Sequence, residues 1–92
     1  MRYVWDTAKD ALNRKRHRLG LAEGVLALED PERDEWIDDR FDYGEERVVT
    51  LGLTSHGVLY VVTTEADEDA IRIISVRKAQ PGEVERYGLG RT

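Results

Sequence analysis

The chain contains no cysteine, which leaves no route to a disulfide framework or a thiolate metal site. That usage suits a reducing cytosol, and a cytoplasmic location is the expectation. Histidine is scarce too, with only His17 and His56. Neither belongs to an H-E-x-x-H pair, and the acidic residues do not follow a calcium-loop spacing, so no metal or other cofactor is expected. No apolar run approaches the ~18–20 residues of a membrane span. The opening MRYVWDTAKD also lacks the apolar core of a secretory leader, so no membrane association is expected. A phosphate loop needs glycines in a turn ahead of a helix, and Gly88 and Gly90 instead fall in the tail. There is no internal repeat, linker or low-complexity segment.

What remains is short and heavily charged. The 92 residues are expected to form one domain, 1–92, with 88–92 a frayed tail. A chain of this size buries only about 60% of its unfolded surface, so function should rest on a partner or a shallow surface. The net charge of −5 conceals blocks of opposite sign. Residues 9–18 hold five cations against Asp10 alone, whereas residues 29–46 hold ten acids against Arg33 and Arg40. Glu65, Asp67, Glu68 and Asp69 extend the acidic set, and Arg72, Arg77 and Lys78 restore positive charge. Zones of this kind can bind an anion at one place and a basic partner at another.

The pattern of periods gives an order of elements. Tyr3, Val4 and Trp5 form an apolar lead-in, and Asp6 is a good N-cap. Ala8, Ala11, Leu12, Lys15 and Leu19 follow helical spacing, with cations in the last turn and Gly20 as the stop. A second helix over about 22–29 should pack Val25, Leu26 and Leu28 inward and end before Pro31. Trp36, Ile37 and Phe41 suggest a short strand or an ordered loop, followed by a Tyr43-Gly44 turn. Arg47, Val49, Leu51 and Leu53 then alternate as a strand. Ser55-His56-Gly57 turns into a strand, 58–64, that is apolar on both faces and therefore central. Residues 70–77 form the next strand, and Pro81 opens a closing helix with Val84 and Tyr87 inward. The expected class is α+β, a small antiparallel meander of three to four strands with two N-terminal helices and a C-terminal helix on one side of it.

The densest chemistry lies in IRIISVRKA, 71–79. Strict alternation sends Arg72 and Arg77 to opposite faces unless a bulge intervenes. Arg72 lies near Glu65 and Asp69 across the expected hairpin and can pair with either. A guanidinium suits phosphate as well as carboxylate, so residue type alone leaves both roles open.

The ordered set W-D-x-x-K-x-x-x-N-x-x-x-H (5–17), E-x-V-L-x-L-x-D-P (23–31), YGEERVVTLG (43–52), VLYVVTTE (58–65), IRIISVRKA and E-x-x-R-Y (83–87) resembles the BrnT family of type II toxins. The resemblance runs over about residues 3–87. It implies a RelE-like fold and a metal-independent endoribonuclease that depresses translation. It also implies neutralisation by a BrnA-like ribbon-helix-helix antitoxin, with operator DNA bound only through that antitoxin. In such chemistry the RNA 2′-hydroxyl attacks the adjacent phosphate, and protein cations stabilise the developing charge. Carried onto this chain, the resemblance makes Glu65, Arg72, Arg77 and His17 the catalytic candidates. Arg77, Lys78 and Lys15 are the candidates for RNA phosphate, with Arg72 holding phosphate or bracing Glu65. Where the family reads T-E-R, this chain has Thr64-Glu65-Ala66. A lost charge-assisted contact is worth roughly 1.5–3 kcal/mol, so two functions stand: an active ribonuclease toxin, or a catalytically weak module that binds its antitoxin in an autorepressor complex.

Overall fold

The computed structural model describes residues 1–40, 42 and 44–89. The expectations for Phe41, Tyr43 and the last three residues lie outside that set. The elements are β1 (Arg2–Val4), α1 (Thr7–His17), a 3-10 turn at Leu21–Glu23, α2 (Gly24–Leu28), β2 (Asp34–Ile37), β3 (Arg47–Thr54), β4 (Gly57–Asp67), β5 (Ala70–Lys78) and α3 (Pro81–Leu89). The class is α+β, but the sheet has five strands and is mixed, in the order β1-β5-β4-β3-β2.

The meander β2 to β5 is antiparallel, and β4 is central. Its alternation feeds two cores. Leu59 and Val61 join Leu19, Leu21, Ala27, Ile73 and Val76 on one face, and Tyr60 and Val62 join Val49, Leu51 and Tyr87 on the other. The first is the α1 face and the second the α3 face. Helices therefore cover both sides of the sheet, which corrects the one-sided arrangement expected above. The correction follows from β4 itself, because a strand apolar on both faces needs cover on both.

The remaining differences are local. Tyr3 and Val4 belong to β1, which pairs in parallel with β5 through Tyr3↔Ile71 and Val4↔Arg72. A three-residue strand has no readable period, and its partner lies far along the chain. Asp6 caps α1 as expected, accepting from the amides of Ala8 and Lys9. The helix stops earlier than Gly20, with Arg18 in the left-handed region at φ 60°. Gly20 instead precedes the 3-10 turn, where its amide donates to Glu23 at 2.6 Å. The expected apolar stripe of α1 is exposed at Ala8, Ala11 and Leu12, and the buried position is Asn13. Its side-chain amide donates to Leu19 O at 2.8 Å and Val76 O at 2.9 Å. Its Oδ1 accepts from Val76 N at 3.1 Å. Asn13 thus pairs the open backbone edge of β5 beyond the reach of β1, where unpaired buried groups would be costly. In α2, Ala27 is buried, whereas Leu26 is half exposed, because Ala27 rests directly on Gly52 of β3. In α3, Tyr87 packs inward as expected and Val84 does not.

Candidate active-site face

The register of β4 and β5 shifts between Val62↔Ser75 and Thr63↔Ile73, which makes Ile74 an extra residue in β5. Tyr60, Val62 and Thr64 alternate onto the α3 face of β4. Their partners are Arg77, Ser75 and Arg72. The bulge therefore brings Arg72 and Arg77 onto the same face, where an unbroken strand would part them.

At one end of this face, the Arg77 guanidinium lies 3.8 Å from the centre of the Tyr60 ring. It donates from Nη1 and Nη2 to the two carboxylate oxygens of Glu83 at 2.8 and 2.9 Å. Glu83 Oε1 also accepts from the Gln80 amide at 2.7 Å, so the residue caps α3 while it holds Arg77. Hydrogen bonding from Arg77 keeps the Glu83 carboxyl below its usual range, and Glu83 in turn raises Arg77 further. Arg40 Nη2 reaches the Tyr60 hydroxyl at 3.5 Å, and the guanidinium grips the buried Asp38 carboxylate through Nε at 2.8 Å and Nη2 at 3.1 Å. The Tyr60 ring meets Trp36 edge-on, with centres 6.3 Å apart, and Arg86 stacks on Trp36 at 3.9 Å. Arg86 is itself tied to Asp34 at 2.7 Å. The result is a row of stacked cations and aromatic rings from β2 to β5.

Arg72 sits at the other end and is exposed. Thr64 is its partner in the ladder, Glu65 lies opposite Ile71, and Asp69 pairs with Arg2 at 3.7 Å. The expected bracing of Glu65 or Asp69 by Arg72 is thus absent, because strand alternation turns Glu65 to the other face. Among the described residues Arg72 has no hydrogen-bond or ion-pair partner. It shares a shallow recess of ≈ 310 Å³ with Lys9, Asp6 and Ile74 at the β1 edge.

The other candidates are dispersed. Lys78 lies opposite Leu59 and so projects to the α1 face, as adjacent strand residues must. Lys15 and His17 are exposed on α1. No described contact joins Lys15, His17, Lys78 or Glu65 to Arg72. Tyr60, Arg40 and Glu83 are the residues that sequence reasoning missed. Glu83 carried a signal, since a glutamate three residues after a helix cap is a capping-box position. Tyr60 carried less, as one aromatic within a central apolar strand. Among the described residues no group of three His, Asp or Glu side chains is placed to hold a metal ion.

The arginine-bearing sheet face and the closing helix belong to a small α+β domain, and the sequence comparison assigns its family. The profile described as "Ribonuclease toxin, BrnT, of type II toxin-antitoxin system" matches residues 5–83, and the chain belongs to this BrnT family. Its fold is similar to that of the Brucella abortus ribonuclease toxin BrnT, known from a crystal structure at 1.1 Å resolution. The TM-score is 0.63 and the identity 20%, over 87% of this chain and 97% of the Brucella chain. Comparison with curated proteins gives no match.

Proposed function

We propose that the chain is a metal-independent endoribonuclease toxin that inhibits translation and works from the α3 face. The observation that carries this reading is the Ile74 bulge, which puts Arg72 on the same sheet face as Arg77, with Arg77 stacked on Tyr60 beside Arg40 and Arg72 further along the strand opposite Thr64. Guanidinium groups in a partly dry, aromatic setting suit a phosphate whose charge grows in the transition state. Arg72 receives the RNA backbone first, because no carboxylate occupies it. The scissile phosphate then displaces Glu83 from Arg77. The freed Glu83 carboxylate regains basicity and takes the proton of the 2′-hydroxyl, whose oxygen bonds to phosphorus. The bond from phosphorus to the 5′-oxygen breaks, Tyr60 supplies the proton to that oxygen, and a cyclic phosphate remains. Glu65, which faces away, has no part in this scheme. Neutralisation falls to a BrnA-like ribbon-helix-helix antitoxin, through which the pair reaches operator DNA.

A second reading, a catalytically weak binding module, is favoured by two features. Glu83 holds both terminal nitrogens of Arg77, and Ala66 replaces the family's arginine at a second bulge, between Glu65↔Ile71 and Asp67↔Ala70. Expression in bacteria without antitoxin separates the two. Growth arrest with fragmented total RNA for the wild type, both abolished in Arg77→Ala, is the expected outcome. Normal growth at good soluble expression would leave the binding module as the account.

A further inference from the structure

The α1 face is only partly covered by its helices, and the uncovered part is a groove of ≈ 670 Å³. Its rim brings together acids that are scattered in the sequence. Glu35, Glu45 and Glu46 stand on one side, and Glu65, Asp67 and Glu68 on the other. Glu35, Glu45 and Asp67 have arginine partners at 3.5, 3.4 and 3.0 Å. Glu46, Glu65 and Glu68 have no counter-ion among the described residues. The floor is different in kind. Val48, Thr63 and Ile71 present apolar or methyl surface there, and Leu28 closes one wall. Ile37, opposite Val48 in the ladder, leaves 56% of its surface exposed beside it.

Thr50 adds an independent sign that the groove is incomplete. It is 1% exposed, lies opposite Val61 on this face and lines the groove. Its hydroxyl has no hydrogen-bond partner among the described residues. A buried hydroxyl left unpaired costs free energy that an incoming donor or acceptor can recover.

We propose that this groove docks a cationic segment with one apolar side, contributed by the antitoxin that neutralises the chain. The antitoxin as its source rests on the toxin reading above; the chemistry of the segment does not. Charge complementarity selects the occupant. Among the described residues six carboxylates, three of them without a counter-ion, outnumber the one lining cationic side chain, Arg33, around an apolar floor, so basic side chains reach the rim while apolar ones fill the floor. RNA is repelled by the same rim and is directed to the arginine face. Partner and RNA therefore occupy opposite sides of one sheet.

The test uses two short synthetic peptides, one alternating lysine with leucine and the other glutamate with leucine, titrated into the intact protein. The lysine peptide should bind with one-to-one stoichiometry and the glutamate peptide should not. Reversal of two rim charges, in Glu46→Lys/Glu68→Lys, should weaken the lysine peptide by about tenfold or more. Thr50→Val, which keeps the shape and removes the orphan hydroxyl, should weaken binding severalfold without loss of thermal stability. Binding unchanged by both variants, or binding of the glutamate peptide, would overturn the proposal. RNA cleavage by the wild type and by the rim variant is measured in parallel. Absence of cleavage with groove-dependent binding would count against the nuclease reading and not against the groove.

Discussion

Arg77 and Glu83 show how one pair can serve both stability and chemistry. Their two charge-assisted hydrogen bonds join β5 to the start of α3, and their loss should cost about 1–3 kcal/mol. The pH dependence has a definite sign. Glu83 is held below its usual range by Arg77, so the unfolded chain takes up the proton first as pH falls. The stabilisation is fully present above the ordinary glutamate value of about 4.3 and is lost as pH falls through the depressed folded value. Urea unfolding of the wild type and Glu83→Gln should therefore show a clear gap near neutral pH that narrows on acidification to about pH 3. A gap independent of pH would mean that the carboxylate charge contributes nothing. Asn13 is a second residue of this kind. Asn13→Ala strands Val76 N–H, Val76 O and Leu19 O in a buried setting. A loss of about 2–4 kcal/mol in unfolding free energy is expected, read from denaturant midpoints.

At the scale of elements, contacts between backbones set the limits. α2 lies so close to β3 that a Cβ on Gly52 would run into the backbone of Ala27. Gly52→Ala should lower stability by about 1–3 kcal/mol or more, because backbone cannot yield as a side chain can. Thermal denaturation against Gly82→Ala, where a Cβ meets open space, is the control. The elements readable in advance were those governed by local period and caps. Asp6 at the start of α1, the alternation from Arg47 to Leu53, the turn before β4 and Pro81 at the head of α3 are all of this kind. What escaped depends on partners remote in the chain. β1 exists only because β5 accepts it, and the Ile74 bulge is a property of the β4–β5 register, invisible in the alternation of β5 alone. The candidate site suffered most from this. Arg72 and Arg77 were recognisable, yet their shared face, the turning away of Glu65 and the capture of Arg77 by Glu83 required the paired sheet.

At the scale of the whole molecule, charge is segregated into local zones, with the acidic groove lying on the same face as the cationic helix α1. The net charge of −5 averages an arginine-bearing α3 face with an acidic groove on the α1 face. Under the proposals above, an anionic substrate and a cationic partner would use different surfaces of one small domain. The proposed function requires that the α3 face cleave RNA with Arg72 and Arg77, which share that face. The most direct measurement is cleavage of a defined RNA by purified wild type and Arg72→Ala, with folding checked by circular dichroism. Arg72 has no described partner to lose, so the variant should fold as the wild type does, while its cleavage rate falls about a hundredfold or more. Equal cleavage by the two proteins would contradict the claim.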